Sequence, residues 1–472
     1  MKTDTIAAIA TALSDSGIGI IRVSGDKAIE IADRLYLSKG VKKKLKDVKS
    51  HTIHYGYIAL QNDSEVEILD EVMVSVMRAP KSYTTEDTVE INCHGGVLMM
   101  QRILEAVLKA GARLAEPGEF TKRAFLNGRM DLSEAEAVMD LIHAKSDIAL
   151  KSSFRQLKGS VSEKIKSIRE KIIYEIAFIE SALDDPEHIS LDDYPKKLSV
   201  KIKELSGQVD ELLSSAENGK FIKEGIHTVI VGKPNAGKSS LLNLLVGEEK
   251  AIVTEIAGTT RDVLEEYVRL NGILLHLIDT AGIRSSEDPI ERIGVEKAKK
   301  YAAEADLILY VADSSTLFTE SDKEIINLIA DKQCIILWNK TDLPSAAKEE
   351  ELLSAFKEAS KEEVYKMPPI VRTSAKDASG LDELEEKISK LFFHGKITLE
   401  NEVTITNIRH KEALLEAKQS LQLVENSLAA GLPEDFYSID LMSAYAALGS
   451  IIGEEVSDDL VEEIFSKFCM GK

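Results

Sequence analysis

The chain has 472 residues, of which 44% are hydrophobic, a size that suits about three domains. Its formal net charge of −21 disfavours broad binding to nucleic acid, so an RNA contact would need a local basic patch or a partner. Three cysteines indicate a reducing compartment rather than a disulfide framework. No apolar run is long enough for a bilayer and the first residues lack a signal-peptide pattern, so we expect a cytoplasmic protein with no membrane partner.

Residues 1–118 predict an α+β domain. Its β-forming runs are Ile18–Val23, Thr52–Leu60, Val72–Met77 and Thr88–Asn92. One helix is predicted over Gly95–Ala110, because its apolar residues recur at helical spacing and Gly111 ends the pattern. Nothing in the spacing of this domain specifies a ligand.

One run of basic residues lies within this first domain. It consists of Lys42, Lys43, Lys44, Lys46 and Lys49. A solvated loop is the commoner role for such a run, and a contact with RNA is the alternative. The sequence alone leaves both open.

Residues 119–217 predict the first part of a helical domain. Ser133–Ala149 and Ser160–Leu183 carry apolar residues at three- and four-residue spacing, and Lys201–Ala216 is helical again. An acidic break with two prolines, Asp184–Pro195, separates them. The chain returns to helix in residues 391–472.

Between these helical parts, residues 218–390 alternate strand and helix, as a parallel sheet requires. Residues 232–239 read Gly-Lys-Pro-Asn-Ala-Gly-Lys-Ser, a phosphate-binding loop between the apolar run Val229–Val231 and the helical run Leu241–Val246. Lys238 reaches the β- and γ-phosphates and the Ser239 hydroxyl binds Mg²⁺. The residues assigned to the nucleotide here are Gly232, Asn235, Ala236, Gly237, Lys238, Ser239 and Ser240.

Three further motifs follow, each after a predicted strand. The Asp of the first holds Mg²⁺ through water and its Gly meets the γ-phosphate. In the second, Asp342 can accept two hydrogen bonds from the guanine edge, which favours GTP over ATP. The third adds backbone contacts to the base. The assigned residues are Asp279, Thr280, Ala281, Gly282, Asn339, Lys340, Asp342, Ser374, Ala375 and Lys376.

The predicted fold class is therefore α/β plus α. A P-loop GTPase domain at 218–390 is inserted in a discontinuous helical domain, 119–217 and 391–472, and the α+β domain precedes them.

The predicted GTPase lacks one common part. Ile283 stands where many regulatory GTPases carry a glutamine that orients the attacking water. The loop that follows contains Glu287, Asp288 and Glu291. A carboxylate from this loop can orient water, and a solvated acidic loop is the alternative, which spacing leaves open for Glu291.

Asn235, inside the phosphate loop, is a second unusual feature. Its side-chain carbonyl can face the β/γ-phosphate bridge and coordinate a monovalent cation, where an arginine finger would act. Residues 254–262 can supply further backbone oxygens, and the Thr260 hydroxyl suits Mg²⁺. A turn-capping role for Asn235 is the alternative.

These motifs together resemble one family closely, the MnmE (TrmE) tRNA-modification GTPases, over essentially the whole length. The GTPase motifs are shared by many proteins, whereas the N-terminal motifs and the Cys-x-Gly-Lys end are more specific. The matching segments are 252–262, 279–284, 291–294, Tyr83-Thr84, Glu86-Asp87, Glu90, His94–Gly96, Pro117–Thr121, Arg123–Arg129 and Phe468–Lys472.

The resemblance implies a homodimer built through N-terminal domains that bind formyl- or methylene-tetrahydrofolate. It implies a potassium-activated GTPase whose two GTPase domains meet across the dimer. It also implies an FAD-dependent partner, MnmG (GidA), that joins it in a heterotetramer. Together they would modify C5 of the wobble uridine of certain tRNAs, giving carboxymethylaminomethyl or aminomethyl groups.

The resemblance also implies roles for individual residues. Glu291 would orient the attacking water, with Lys238 and Thr260 as further catalytic groups, and Cys469 would take part in the modification chemistry. Arg129 stands where the family often has lysine, so charge is kept but geometry is less certain. The implied folate contacts are Arg22, Glu90, Arg129 and Lys472; the implied K⁺ ligands are Asn235, Thr254, Ile256 and Thr259; the implied Mg²⁺ ligands are Ser239 and Thr260.

The last residues of the sequence are expected to meet the folate site. Phe468 can anchor them, Gly471 can permit a sharp turn, and Lys472 can offer an ammonium to an anionic ligand. A frayed helix end is the alternative.

Two other functions remain open. A ribosome-assembly GTPase predicts a basic RNA-binding domain after the GTPase domain, whereas this chain continues into an acidic helical segment. A folate-binding scaffold regulated by GTP is the other. Folate binding would exclude the first, and loss of the modified base on GTPase inactivation would argue against the second.

Overall fold

A computed structural model describes residues 4–40, 43–61, 66–188, 190–248, 266–270, 272–277, 303–361, 367–393, 403–454 and 456–471. The chain forms two compact units, each built from separate segments. Unit 1 comprises Met1–Met139, Leu157–Tyr174 and Tyr445–Lys472, and unit 2 comprises Asp140–Gln156 and Glu175–Ala444. The domain boundaries expected at residues 118, 217 and 390 remain predictions.

Unit 1 contains a seven-stranded sheet in the order β3-β4-β5-β6-β2-β1-β7. All neighbours are antiparallel except β1 and β7. The four predicted β-forming runs lie within β2, β4, β5 and β6, so these strands are confirmed. The strands are β1 (Ile6–Ile9), β2 (Ser16–Ser24), β3 (Tyr36–Ser38), β4 (Thr52–Gln61), β5 (Val66–Met77), β6 (Thr88–Gly95) and β7 (Arg113–Leu114).

Helices α1 (Ala28–Leu35) and α2 (Val97–Lys109) cover one face of this sheet. The helix predicted over 95–110 is confirmed within the usual uncertainty of helix ends. Side chains alternate along a strand, so Met73 points to the other face of the sheet while its neighbours Val72 and Val74 are buried under the helices. That other face is rich in exposed apolar side chains. These are Leu37, Ile53, Tyr55 and Met73.

Two helix predictions need correction. A single helix over 133–149 is wrong, because the chain breaks at residues 144–146. There the Ser146 hydroxyl accepts from Ala149 N at 3.1 Å and caps a new helix. The helix predicted from Lys201 begins earlier, at Tyr194, since Pro195 lies in its first turn, where proline is tolerated.

The remaining helices in the described ranges are α3 (Glu119–Leu126), α4 (Leu132–His143), α5 (Asp147–Leu157), α6 (Ser160–Asp184), α7 (Tyr194–Glu224), α8 (Lys238–Glu248), α9 (Glu320–Ile329), α10 (Glu349–Ala359), α11 (Leu381–Phe393), α12 (Ile408–Ala429), α13 (Glu434–Ile452) and α14 (Asp458–Ser466). Among them, none is long and apolar enough to cross a membrane.

Unit 2 contains a six-stranded sheet in the order β13-β12-β11-β8-β10-β9. Its strands are parallel except for β9, which runs antiparallel to β10. The expectation of a parallel sheet is therefore wrong at this edge, since only residues 271 and 272 separate the two strands and a parallel crossover needs about a dozen. The strands are β8 (Ile226–Val231), β9 (Glu266–Leu270), β10 (Ile273–Leu277), β11 (Leu307–Asp313), β12 (Cys334–Asn339) and β13 (Ile370–Arg372).

The chain segments that flank this sheet pack against each other within unit 2. Gly219 of α7 meets the backbone just before α12 so closely that a Cβ would lie 1.8 Å from Ile405 O. Ile405 N donates to Ser215 Oγ at 3.1 Å, and Lys418 pairs with Asp210 at 2.6 Å. Helices α7 and α12, which flank the sheet in sequence, are therefore joined directly; the insertion of a GTPase domain between two helical parts remains a prediction.

Candidate functional site

The phosphate loop has the predicted strand–loop–helix context, because it lies between β8 and α8. Gly237 has φ +101°, and a Cβ there would lie 2.2 Å from Asn339 Nδ2. A Cβ at Gly232 would lie 2.4 Å from Val311 O. Both glycines therefore allow a close approach that a side chain would prevent.

Two lysines of the loop have different surroundings. Lys238 Nζ donates to Gly232 O at 2.8 Å and to Lys233 O at 2.7 Å. These bonds hold its ammonium against the loop that is predicted to bind the phosphates. Lys233 Nζ pairs with the buried Asp322 Oδ2 at 2.7 Å. Asp322 also accepts from Thr319 N at 2.8 Å and from Tyr310 Oη at 3.0 Å.

The Lys233–Asp322 pair ties the start of the phosphate loop to the first turn of α9, and it was not predicted from the sequence. The one sequence feature that pointed to Asp322 was the helix-capping pattern Thr-x-x-Asp at 319–322. That pattern predicts where a helix starts, but it does not say which distant lysine the aspartate meets.

Asn339 joins the phosphate loop to the base motifs. It is the buried last residue of β12, and its Nδ2 donates to Ala236 O at 2.8 Å. Thr373 Oγ1 donates to Asn339 Oδ1 at 3.2 Å. Both sides of this amide are therefore used to hold the site in shape.

The second and third nucleotide motifs also lie together. Ser374 Oγ donates to Asp342 Oδ1 at 3.0 Å and contacts Asp377 Oδ2 at 3.2 Å. Asp342 is exposed, so its carboxylate can still accept from a base edge. Lys340 Nζ pairs with Asp313 Oδ2 at 2.6 Å. Burial raises the pKa of Asp313, but Lys340 and Ser315 outweigh it and lower that pKa overall.

Asp342→Asn should weaken GTP binding and improve binding of xanthosine triphosphate. Xanthine offers an acceptor where guanine offers an amino donor, and a hydrogen bond to a charged group is worth about 1.5–3 kcal/mol, or roughly ten- to a hundredfold in affinity. Competitive binding of the two nucleotides measures the change. Asp377→Asn, which alters the other carboxylate beside Ser374, should keep the preference for GTP. An unchanged preference in Asp342→Asn would remove Asp342 from the base pocket.

The remaining nucleotide, magnesium and potassium assignments lie outside the described residues and stay predictions. They concern Thr254, Ile256, Thr259, Thr260, Asp279, Thr280, Ala281 and Gly282. Glu291, assigned to the attacking water, and Lys472, assigned to folate, also lie outside the described residues and stay predictions. Within the described ranges, no group of three or more His, Cys, Asp or Glu side chains could hold a metal ion.

In unit 1, Arg22 and Glu90 stand opposite each other on β2 and β6. The Arg22 Nε donates to Glu90 Oε1 at 2.9 Å, and Nη2 forms an ion pair with the same oxygen at 2.9 Å. Its carbon lies 5.5 Å from the centre of the Tyr83 ring and 5.6 Å from that of Phe120. The intramolecular partner of Arg22 is therefore Glu90.

Arg129 approaches the same aromatic ring. Its guanidinium carbon lies 4.6 Å from the Tyr83 ring centre, and its Nη1 donates to Tyr83 O at 2.6 Å. Arg129 also lines an open pocket of about 530 Å³ together with His51 and Lys81. Tyr83 thus lies against Arg22 and Arg129, two of the four residues assigned to folate. Glu90, a third, joins them through its ion pair with Arg22.

The last described residues of the chain contact this site. Arg22 Nη1 donates to Gly471 O at 3.2 Å, and Gly118 N donates to Cys469 O at 3.3 Å. Gly471 has φ +88°, and a Cβ there would lie 2.4 Å from Ile9 O. Phe468 is buried, its ring 5.0 Å from that of Phe465, whereas Cys469 is exposed. The frayed-end alternative is therefore wrong for residues 468–471.

Arg123 links the N-terminal motifs, a role that was not predicted from the sequence. Its guanidinium contacts Asp4 at 2.9 Å, Glu86 at 3.1 Å and Glu119 at 3.0 Å. Burial raises the pKa of Glu119, but Arg113 and Arg123 outweigh it and lower that pKa overall. Arg113, then Arg123, likewise lower the pKa of Asp4. The network fixes the segments that carry Tyr83 and Arg129.

Comparison with known proteins gives matches over the whole chain. The family described as "MnmE helical domain" matches residues 132–469, and "GTP-binding protein TrmE N-terminus" matches residues 5–129. A protein of Lachnoclostridium phytofermentans described as tRNA modification GTPase MnmE is 56% identical, with 100% of both chains covered. Proteins of the same description from Acetivibrio thermocellus and Geobacillus kaustophilus are each 48% identical, with 100% and 99% of both chains covered, respectively.

Among solved structures, Aquifex aeolicus Era bound to GDP and AlF₄⁻ is 30% identical. The match covers 42% of this chain and 67% of that one, with a TM-score of 0.26. That score is too low for a conclusion about fold.

Proposed function

The chain belongs to the MnmE family of tRNA modification GTPases, and from that premise we propose that its GTP hydrolysis drives modification at C5 of the wobble uridine. The observation that carries the proposal is the site in unit 1 where Arg22 meets both Glu90 and Gly471. A GTP switch with no one-carbon chemistry has no use for such a site. A guanine pocket and a second, separately built site in one chain favour an enzyme that couples two reactions.

Formyl- or methylene-tetrahydrofolate is the proposed ligand of the unit 1 site. Arg22 and Arg129 place two guanidinium groups against the Tyr83 ring. The glutamyl carboxylates of a folate suit guanidinium partners, and its pterin ring suits aromatic and guanidinium partners. The exposed thiol of Cys469 lies two residues from the Gly471 carbonyl that Arg22 holds. When bound, the folate supplies the one-carbon unit. Cys469 is the proposed participant in its transfer and Lys472 a further folate contact.

Mg²⁺ at Ser239 and Thr260 and K⁺ at Asn235, Thr254, Ile256 and Thr259 are the proposed ions of the GTPase site. Asn235 has φ +62°, a conformation in which asparagine is several-fold enriched. A cation held by its side-chain carbonyl would neutralise charge that develops between the β- and γ-phosphates.

GTP hydrolysis should be faster in K⁺ than in Na⁺ at equal ionic strength. Asn235→Gly should remove the difference, because glycine adopts the same positive φ without strain but lacks the carbonyl ligand. Steady-state hydrolysis rates in the two salts give the measurement. Asn243→Ala, which removes an exposed amide from α8, is the matched control and should keep the K⁺ effect. Equal rates of GTP hydrolysis in both salts for the unchanged chain would contradict the proposed K⁺ site.

Glu291→Ala should slow GTP hydrolysis at least about tenfold, the low side of a lost contact to the attacking water. Nucleotide affinity should hardly change, because the proposed role is to orient water in place of the glutamine that Ile283 replaces. Single-turnover hydrolysis and nucleotide affinity separate the two effects. Glu287→Ala is the control, since its proposed role is only that of a solvated acid. Weakened affinity with normal turnover would make Glu291 structural.

A homodimer through unit 1 is the proposed assembly, joined by the FAD-dependent MnmG in a heterotetramer in the cytoplasm. Ile53 and Tyr55 of β4 are 67% and 52% exposed. By register they share a sheet face with Met73, Arg22 and Glu90. A second copy that covers this face would shield its apolar groups beside the folate site. Sedimentation of the full chain tests the assembly, and a monomer at micromolar concentration would contradict it.

Reconstitution tests the proposed reaction as a whole. The chain, MnmG with its FAD, GTP, K⁺, Mg²⁺, tetrahydrofolate carrying a one-carbon unit, ammonium or glycine as the source of the amino nitrogen, and tRNA that lacks the modification are incubated together. Mass spectrometry of the wobble nucleoside should show the C5 product only in the complete mixture. Product formed without GTP would separate hydrolysis from the chemistry, and product formed without folate would point to another carbon donor.

A further inference from the structure

The basic run noted in the sequence lies on an anchored loop. Leu45 and Val48 are buried, Leu45 N donates to Asp33 Oδ1 at 2.5 Å, and residues 45–47 form a 3₁₀ turn. The lysines beside these anchors are exposed; within the described ranges they are Lys43, Lys44, Lys46 and Lys49. The loop therefore presents its charges from a fixed backbone.

Arg78, at the end of β5, connects this loop to the pocket lined by Arg129. Its Nη2 donates to Lys46 O at 2.7 Å, and its backbone N donates to Ser50 Oγ at 2.9 Å. Lys81 N in turn donates to Arg78 O at 3.0 Å, and Lys81 lines the pocket. We define the basic patch as Lys43, Lys44, Lys46, Lys49, Arg78 and Lys81.

The charges of the basic patch are not neutralised by ion pairs. Across the part of the chain that the structure describes, none of its side chains forms a salt bridge with a carboxylate. In the same unit, Arg34, Lys39, Arg102, Arg113 and Arg123 each do. Asp47 is the acidic side chain that the loop itself carries. In a protein with a net charge of −21, such a concentration of unpaired positive charge indicates a polyanionic ligand.

We propose that the basic patch binds the phosphate backbone of tRNA, an inference that rests on the proposed role in tRNA modification. Five of its six charged groups are exposed lysine ammonium groups on two separate chain segments, which suits a row of phosphates better than one small anion. The guanidinium of Arg78 donates to the carbonyl oxygens of Lys46 and Val48 and so holds the two segments together. Contacts of this kind position an RNA without reading its sequence. Binding here would place the RNA beside the pocket of Arg129, next to the proposed carbon donor.

The test compares two pairs of charge reversals that change the net charge equally. Lys46→Glu with Lys49→Glu alters the basic patch. Lys27→Glu with Lys109→Glu alters exposed lysines at the ends of helices in the same unit. The first pair should weaken tRNA binding by the full chain at least about tenfold near 0.1 M salt. It should also reduce, by about two, the steepness with which the logarithm of the binding constant falls with the logarithm of salt concentration. The control pair should leave binding nearly unchanged, and both pairs should keep GTP hydrolysis.

Several outcomes would overturn the proposal. These are normal tRNA affinity in the Lys46/Lys49 variant, equal weakening by both pairs, or no measurable tRNA binding by the unchanged chain. Lower affinity for polyglutamylated folate with normal tRNA affinity would also overturn it, because the patch would then serve the folate. Amide exchange of β4 and β5 must match the unchanged chain, which excludes misfolding as the cause. Patch-dependent tRNA binding with no modification in reconstitution would leave this proposal standing and contradict the proposed function instead.

Discussion

Deleting residues 469–472 should abolish tRNA modification while GTP hydrolysis stays largely intact. The deletion removes the Gly471 carbonyl that Arg22 binds, the Cys469 carbonyl that Gly118 N binds, and the exposed thiol. Phe468, which anchors the segment, remains. Because these contacts lie in unit 1 and the phosphate loop lies in unit 2, the two activities should separate.

Modified-nucleoside content and GTP turnover of the same protein preparation measure this prediction. Met470→Ala is the matched control, because Met470 is 54% exposed and has no proposed role, and it should keep both activities. Cys469→Ser distinguishes the thiol from the backbone contacts. Full modification by the truncated chain would refute a role for the segment, and loss of both activities would indicate misfolding.

Arg123→Ala should lower the free energy of unfolding of unit 1 by about 3 kcal/mol, the low side of the range seen when one partner of a buried ion pair is removed. Glu86 would lose its cation, whereas Asp4 and the buried Glu119 would keep Arg113. Arg102→Ala is the control, since the Arg102–Glu67 pair is half exposed and such pairs contribute little.

Amide exchange of β2 and β6 is the suitable measurement for Arg123, because the single tryptophan, Trp338, lies in unit 2 and does not report on unit 1. The pKa values of Asp4 and Glu119 are lowered in the folded chain. Their contribution to stability is therefore present above the unfolded pKa and is lost as pH falls through the folded pKa. The variant should lose part of this acid sensitivity, and unchanged protection at neutral pH would contradict a structural role for Arg123.

The sequence predicted those features that depend on neighbouring residues. The phosphate loop was clear because strand, glycines, lysine and helix follow one another directly. Four of the seven strands of unit 1 were clear because β-forming runs end at turn residues, whereas the short strands β1, β3 and β7 were not predicted. The antiparallel edge of the sheet in unit 2 was missed because the alternation of strands and helices does not specify strand direction. The connection of only two residues, 271 and 272, is too short for a parallel crossover and could have predicted it.

Contacts between distant residues were beyond the reach of spacing. Lys233 and Asp322 are far apart in the chain, and each alone looks like an ordinary charged residue. The resemblance identified the Tyr83 and Arg123 motifs without a physical reason for their joint occurrence. The structure supplies that reason, since Asn127 Nδ2 donates to Thr84 O at 2.7 Å and Tyr83 Oη lies 2.9 Å from Thr121 Oγ1.

Mass spectrometry of tRNA nucleosides from a strain lacking this gene tests the central claim most directly. The strain is complemented with the unchanged chain or with Lys238→Ala, which removes the phosphate-binding ammonium. The account predicts that C5-modified wobble uridine disappears from the deletion strain, returns with the unchanged chain, and stays absent with Lys238→Ala. Undiminished C5 modification in the deletion strain, or full restoration by Lys238→Ala, would contradict it.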